Sequence, residues 1–361
     1  MSKRAFLPWP CFFTAFILSI ATGAAAQGNL DSGKSCTSST TFAKRIEFAS
    51  LPEAMNILGK PDAWARQLSD FELHARQKTT EPTTLHEFLD FAPENAVQWS
   101  AQERAAWQAV IDQLSIALSD LNVRIPGDLR LVRTTGREEF NAAYHRSHAI
   151  MLAPLEASFA VEAPDVAYFL LAHELFHVLS SEDSTLRDDL YALLGFSRFH
   201  GFEYPLELEA RRLSNPDSFT YEHAVIVHTD SGAVPVVPVI QVRVPLEDAI
   251  ELDGEAFFTV VGIDLLAVNT TSGQVIRDAT NEIVKFDAFD DTQSDWISLM
   301  ARNTDFIIQA EEVLADNFAL VMQWRATGVF PAVIPDGFQV NDPGLLVAIE
   351  DRVRRGCGHD R

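Results

Sequence analysis

Residues 164–179 read PDVAYFLLAHELFHVL. Proline suits the first position of a helix, where no backbone donor is needed, and Asp165 in the first turn complements the positive end of the helix dipole. From Val166 to Leu179 only His173, Glu174 and His177 can readily carry charge, so the spacing predicts a helix buried over most of its circumference. At ~100° per residue, His177 lies about 40° around from His173 and Glu174 about 100°, so all three project from one side. Two imidazoles one turn apart can bind the same ion. Zinc accepts nitrogen and carboxylate ligands, and a catalytic site uses three protein ligands with the remaining position left for water. Glu174 is then placed to take that water's proton. Burying this trio without a metal would be costly.

Two histidines leave one ligand to be found. Residues 310–318 read AEEVLADNF within a helical pattern over 305–325. On that pattern Glu312 shares a face with Ile308, Ala315, Ala319 and Met322, an apolar stripe on which an unpaired carboxylate is unfavourable. Asp316 follows one turn later, in reach of the outer N–H of a ligating histidine. Glu311 is the nearest alternative ligand but has no carboxylate one turn ahead. Asp183, six residues after His177, is a second alternative, weakened by Ser180 standing where a turn-forming glycine is needed. Tyr204, Tyr221, His223 and His228 are candidates for stabilising an oxyanion.

The HExxH at 173–177 with a downstream Glu312-xxx-Asp316 resembles the gluzincin metallopeptidases. The resemblance covers two short segments, and the long β-rich stretch between them departs from the compact spacing of the best-known members. It implies His173, His177 and Glu312 as zinc ligands, Glu174 as general base and Asp316 as partner of a ligating histidine. It also implies that the strand at 149–152 is the sheet edge along which an extended substrate lies.

The chain opens with Lys3 and Arg4, an apolar run over 11–20 and the small residues Ala24, Ala25 and Ala26. That order describes a secretory leader, 1–26, cleaved near Ala26. Cys36 and Cys357 then remain, and in an oxidising compartment they are expected to pair. The 28 Lys and Arg against 51 Asp and Glu give a net charge of −23, a surface that repels nucleic acid and anionic lipid.

Residues 51–122 read as mostly helical, with Trp107, Val110, Ile111, Leu114, Leu118 and Leu121 marking one amphipathic face. A weaker stripe runs through Leu68, Phe71 and Ala75, and short strands are expected at 129–132 and 149–152. From 224 to 289 the chain turns β-rich, with a hairpin at 269–273 that also contains the sequon Asn269-Thr270-Thr271. The expected organisation is α+β: 27–223 with the HExxH helix, a β-rich insert over 224–300, and a helical region over 301–361. The function expected is that of a periplasmic or secreted zinc metallopeptidase acting on peptide or protein substrates. A secreted binding or scaffold protein with a structural or vestigial zinc site is the alternative.

Overall fold

The computed structural model describes residues 45–121, 123, 127–330 and 340–356. The leader, its cleavage position and the expected Cys36–Cys357 pair lie outside the described residues. The fold is α+β, with two separate five-stranded sheets. Among the described residues no helix is long and apolar enough to cross a membrane.

The first sheet gathers β1 (Ile46–Phe48), β2 (Ala96–Val97), β3 (Leu129–Thr134), β4 (Tyr144–Arg146) and β5 (Ala149–Leu152). β3 runs parallel to β1 and β5, β2 pairs antiparallel to β3, and β4 pairs antiparallel to β5. Between the strands lie α1 (Leu51–Leu58), α2 (Asp70–Gln77), α3 (Leu85–Phe91) and α4 (Ala101–Leu121). Ser69 with Glu72, Thr84 with Glu87 and Ser100 with Glu103 form reciprocal boxes that satisfy the first backbone donors of α2, α3 and α4. The expected face from Trp107 to Leu121 is the buried side of α4, with no member more than 3 % exposed. Phe71 and Ala75 are buried on α2, whereas Leu68 precedes that helix.

One expectation is corrected here. The strand at 149–152 forms, but it is interior, between β3 and β4. Ser147 takes a left-handed backbone (φ 54°) and folds residues 144–146 back on 149–152, so β4 is the sheet edge and the strand that touches the HExxH helix.

After β5 come α5 (Pro154–Glu162), α6 (Pro164–Glu182) and α7 (Ser184–Tyr191). Then β6 (Ser197–Arg198), β7 (His223–Thr229), β8 (Gly232–Val242), β9 (Val261–Ala267) and β10 (Lys285–Asp287) form an antiparallel sheet in the order β10-β9-β8-β7-β6. The short helices α8 (Leu206–Glu209), α9 (Leu246–Ala249), α10 (Gly254–Phe258) and α11 (Trp296–Met300) connect and follow these strands. The hairpin at 269–273 closes through Gly273 N donating to Asn269 O at 2.8 Å. Gly273 has φ 76°, and a Cβ there would fall 1.8 Å from Gly201 O, so only glycine fits.

The chain ends in α12 (Ala310–Thr327) and α13 (Pro343–Gly356). α12 starts five residues later than the pattern at 305–325 predicts. Gln309 is extended (φ −152°, ψ 160°) and Phe306 N donates to Thr304 Oγ1, so 304–309 is a turn and Ile308 precedes the helix.

α6 and α12 pack side by side, both rest on α4, and α13 covers α12. Tyr168 on α6 donates to Met322 O on α12 at 3.0 Å, and the Phe176 and Phe318 rings meet at 5.8 Å. Phe318 is fully buried. Phe318→Ala should therefore cost about 3–5 kcal/mol of stability in urea unfolding; an unchanged midpoint would contradict this packing.

Candidate metal centre

Antiparallel packing of α6 and α12, in which Tyr168 meets Met322 and Ser180 meets Glu311, brings two rows of polar side chains face to face inside an otherwise apolar core. His173 and His177 stand one turn apart on α6, with rings 4.7 Å between centroids and nearly perpendicular. From α12, Glu312 Oε2 lies 3.1 Å from His173 Nε2 and 3.6 Å from His177 Nε2. Bonds of ~2.0 Å to a tetrahedral ion put neighbouring ligand atoms about 3.3 Å apart, so both separations suit one ion shared by these atoms. The other Glu312 oxygen accepts from Asn215 Nδ2 at 2.5 Å, which orients the carboxylate.

The outer nitrogens are held as well. His173 Nδ1 lies 2.8 Å from Asp316 Oδ1, and Thr304 donates to the other Asp316 oxygen. His177 Nδ1 lies 3.1 Å from Glu311 Oε1, which also accepts from Ser180, while Tyr191 donates to Glu311 Oε2 at 2.7 Å. A partner on Nδ1 fixes the ring and directs the Nε2 lone pair inward. Glu311 thus supports a histidine from behind.

Among the described residues, His177 Nε2 and Glu174 Oε2 find no hydrogen-bond partner within this cluster. Buried polar atoms in folded proteins are nearly always satisfied, so an orphaned imidazole nitrogen 3.6 Å from a carboxylate oxygen fits the role of a metal ligand. The ligand atoms of His173, Glu174 and His177 all lie within 4.8 Å of one another, as do those of His177, Asp217 and Glu312. The arrangement can therefore hold a metal ion. A divalent cation would also relieve the crowding of the carboxylates of Glu174, Glu312 and Asp217.

The electrostatics agree. Burial opposes a charge on His173, but its hydrogen bonds to Asp316 and Glu312 outweigh that and hold the imidazole protonated well above its ordinary range. That proton would give way to a cation bound at Nε2, since a ligating imidazole is neutral. Burial pushes His177 down to about 3, which keeps it a neutral donor. Burial raises the Glu174 carboxyl; nearby His173 opposes the rise, while Glu312 and Glu156 add to it.

The chain matches no protein-family model, and no curated protein or solved structure is significantly similar to it.

The remaining sequence candidates are engaged elsewhere. Asp183 caps α7, accepting from Thr185 N and Leu186 N at 3.0 Å. Tyr204 bonds Gln241 and packs with Phe202 and Tyr221. His223 pairs with Asp188, and exposed His228 with Asp295. Asn269 accepts from Thr271 N and Ser272 N within its turn.

Sequence reasoning missed Asn215, Asp217, His145 and Tyr191. The first three lie in segments with no helical or strand period to read. Tyr191 lies on α7, seven residues after Ser184, where only its partner Glu311 shows its use.

Glu156 on α5 is a further buried acid, 6 % exposed, with Oε2 unpartnered. Burial pushes its carboxyl up to about 7. A carboxyl raised on folding favours the folded state below its unfolded pKa, near 4.5, and that contribution is lost as pH rises through about 7. Glu156→Gln should therefore melt higher than wild type at pH 8 and with it at pH 4. Equal melting temperatures at both values would refute the burial.

Proposed function

We propose that this chain is a zinc-dependent metallopeptidase of gluzincin type, acting on peptides or proteins in the periplasm or outside the cell. The observation that carries the reading is the orphaned His177 Nε2 beside Glu312 Oε2, within a pair of histidines whose other nitrogens are both held by carboxylates. His173, His177 and Glu312 would hold the ion, and their nitrogen and carboxylate donors match zinc. Bound there, zinc would supply a Lewis acid that polarises a carbonyl and acidifies water.

Glu174 supplies the proton chemistry. Its buried carboxylate, next to His173 and His177, accepts a proton from the attacking water and returns it to the leaving amine. Asp316 and Glu311 keep the two rings in one tautomer and orientation through the reaction. Asn215 holds Glu312 by the oxygen that does not face the histidines. The secretory-leader pattern at 1–26 supports the compartment, and the acidic composition disfavours nucleic acid as substrate.

A second reading draws on burial: His173 is only 8 % exposed and His177 1 %. A binding or scaffold protein with a structural ion would need no access to solvent. It would equally have no use for an unpartnered Glu174 beside the ligands.

The two readings part on Glu174→Gln, assayed on a mixed peptide library with and without chelator. The expected result is a variant that retains one zinc and loses at least about 10²-fold in hydrolysis. Wild-type protein that holds zinc and cleaves nothing supports the structural reading; a fully active variant removes Glu174 from the chemistry.

A further inference from the structure

Resting on the metal-centre reading, we propose that Asp217 is a fourth, displaceable ligand of the ion held by His173, His177 and Glu312, presented by the strap of residues 213–219 that covers edge strand β4. The ligand atoms of Asp217, His177 and Glu312 lie within 4.8 Å of one another, and the Asp217 side chain is only 3 % exposed. The orphaned His177 Nε2 belongs to this same trio.

The strap is anchored at both ends and sharply turned over the site. Leu213 N donates to Ile240 O on β8, and Ser214 N donates to buried Glu72 at 2.6 Å. Asn215 reaches Glu312 and Gln309, Gln309 Nε2 donates back to Ser218 O, and Ser218 N donates to Asn215 O. Asp217 N donates to Asn215 Oδ1 at 3.0 Å. These bonds put the Asp217 carboxylate over the centre.

Its placement also bears on substrate. Asp217 Oδ1 accepts from His145 N at 2.8 Å. In the antiparallel pair β4–β5, that N–H points out from the edge of the sheet, where an extended peptide adding a strand would present a carbonyl acceptor. With Asp217 in place, His173, His177, Glu312 and Asp217 would together supply the four ligands that zinc takes, leaving no position for water. A peptide carbonyl taking the His145 N–H would release Asp217 from the edge, and with it the ligand that excludes water. Peptide binding and opening of the coordination position are thereby coupled through one side chain.

The test uses the full chain loaded with zinc or, separately, cobalt(II), in wild type, Asp217→Asn and Asp217→Ala. Asp217→Asn keeps an acceptor for His145 N but is a poor metal ligand, so it separates ligation from a purely structural role. The expected result is a changed cobalt visible spectrum in both variants. Zinc should also pass to a competing chelator roughly tenfold faster or more, since even partners behind the ligands are worth that much, and peptide hydrolysis should rise. Spectra and release rates identical to wild type would overturn the role of Asp217 while leaving the three-ligand centre intact. A wild-type chain that binds neither metal would overturn the metal centre itself. If Asp217→Ala fails to fold, Asp217→Asn alone decides by the same two readouts.

Discussion

The structure depends on α6 and α12 lying side by side so that two imidazoles from one helix are enclosed by carboxylates from the other. Each helix is otherwise apolar at this contact, with Phe176, Phe318, Val313 and Leu314 closing around the polar atoms. Charged groups in such a place are unfavourable unless paired. Here they are paired on every face but one. Asp316 and Glu311 take the outer nitrogens, Glu312 takes the inner side, and what remains is the nitrogen of His177 and one oxygen of Glu174. These residues can hold a metal ion at that spot, which would complete the pairing beside Glu174.

The surrounding fold serves this contact. α4 backs both helices, and α13 closes α12 from outside. The second sheet contributes through the strap between α8 and β7, which is pinned to β8 by Leu213 N and crosses to β4, carrying Asn215 and Asp217 over the centre. The polar residues below the strap form their own network: Arg76 bridges Glu72 and Glu139, and Arg212 reaches Glu72. Glu72, Arg76 and Glu139 are buried, and Glu72 and Arg76 each have several charged or polar partners there.

Much of the arrangement can be read from residue spacing. Proline at 164, the HExxH and the i to i+4 pair Glu312–Asp316 specify which helix faces meet, because helical period is a local property. The α4 stripe is legible for the same reason. Helical spacing alone presents Glu311 as a rival ligand, yet it belongs to the site as the partner of His177; its neighbours Ser180 and Tyr191, far away in sequence, decide that. The helical pattern runs ahead of α12 because apolar spacing continues through Ile307 and Ile308 while the backbone there turns. β4 escaped notice because Tyr-His-Arg carries no apolar alternation. Its residues are buried through particular partners, Arg146 by Asp62 and the face of Trp64. Asn215 and Asp217 lie in a loop, where position is set by long-range hydrogen bonds that no local pattern records.

The most direct measurement is zinc K-edge X-ray absorption on the purified chain after one equivalent of zinc and gel filtration. The account predicts one retained ion whose nearest shell holds two imidazole nitrogens and carboxylate oxygen at ~2.0–2.2 Å. A chain that emerges without stoichiometric zinc, or whose shell lacks imidazole scattering, would contradict it.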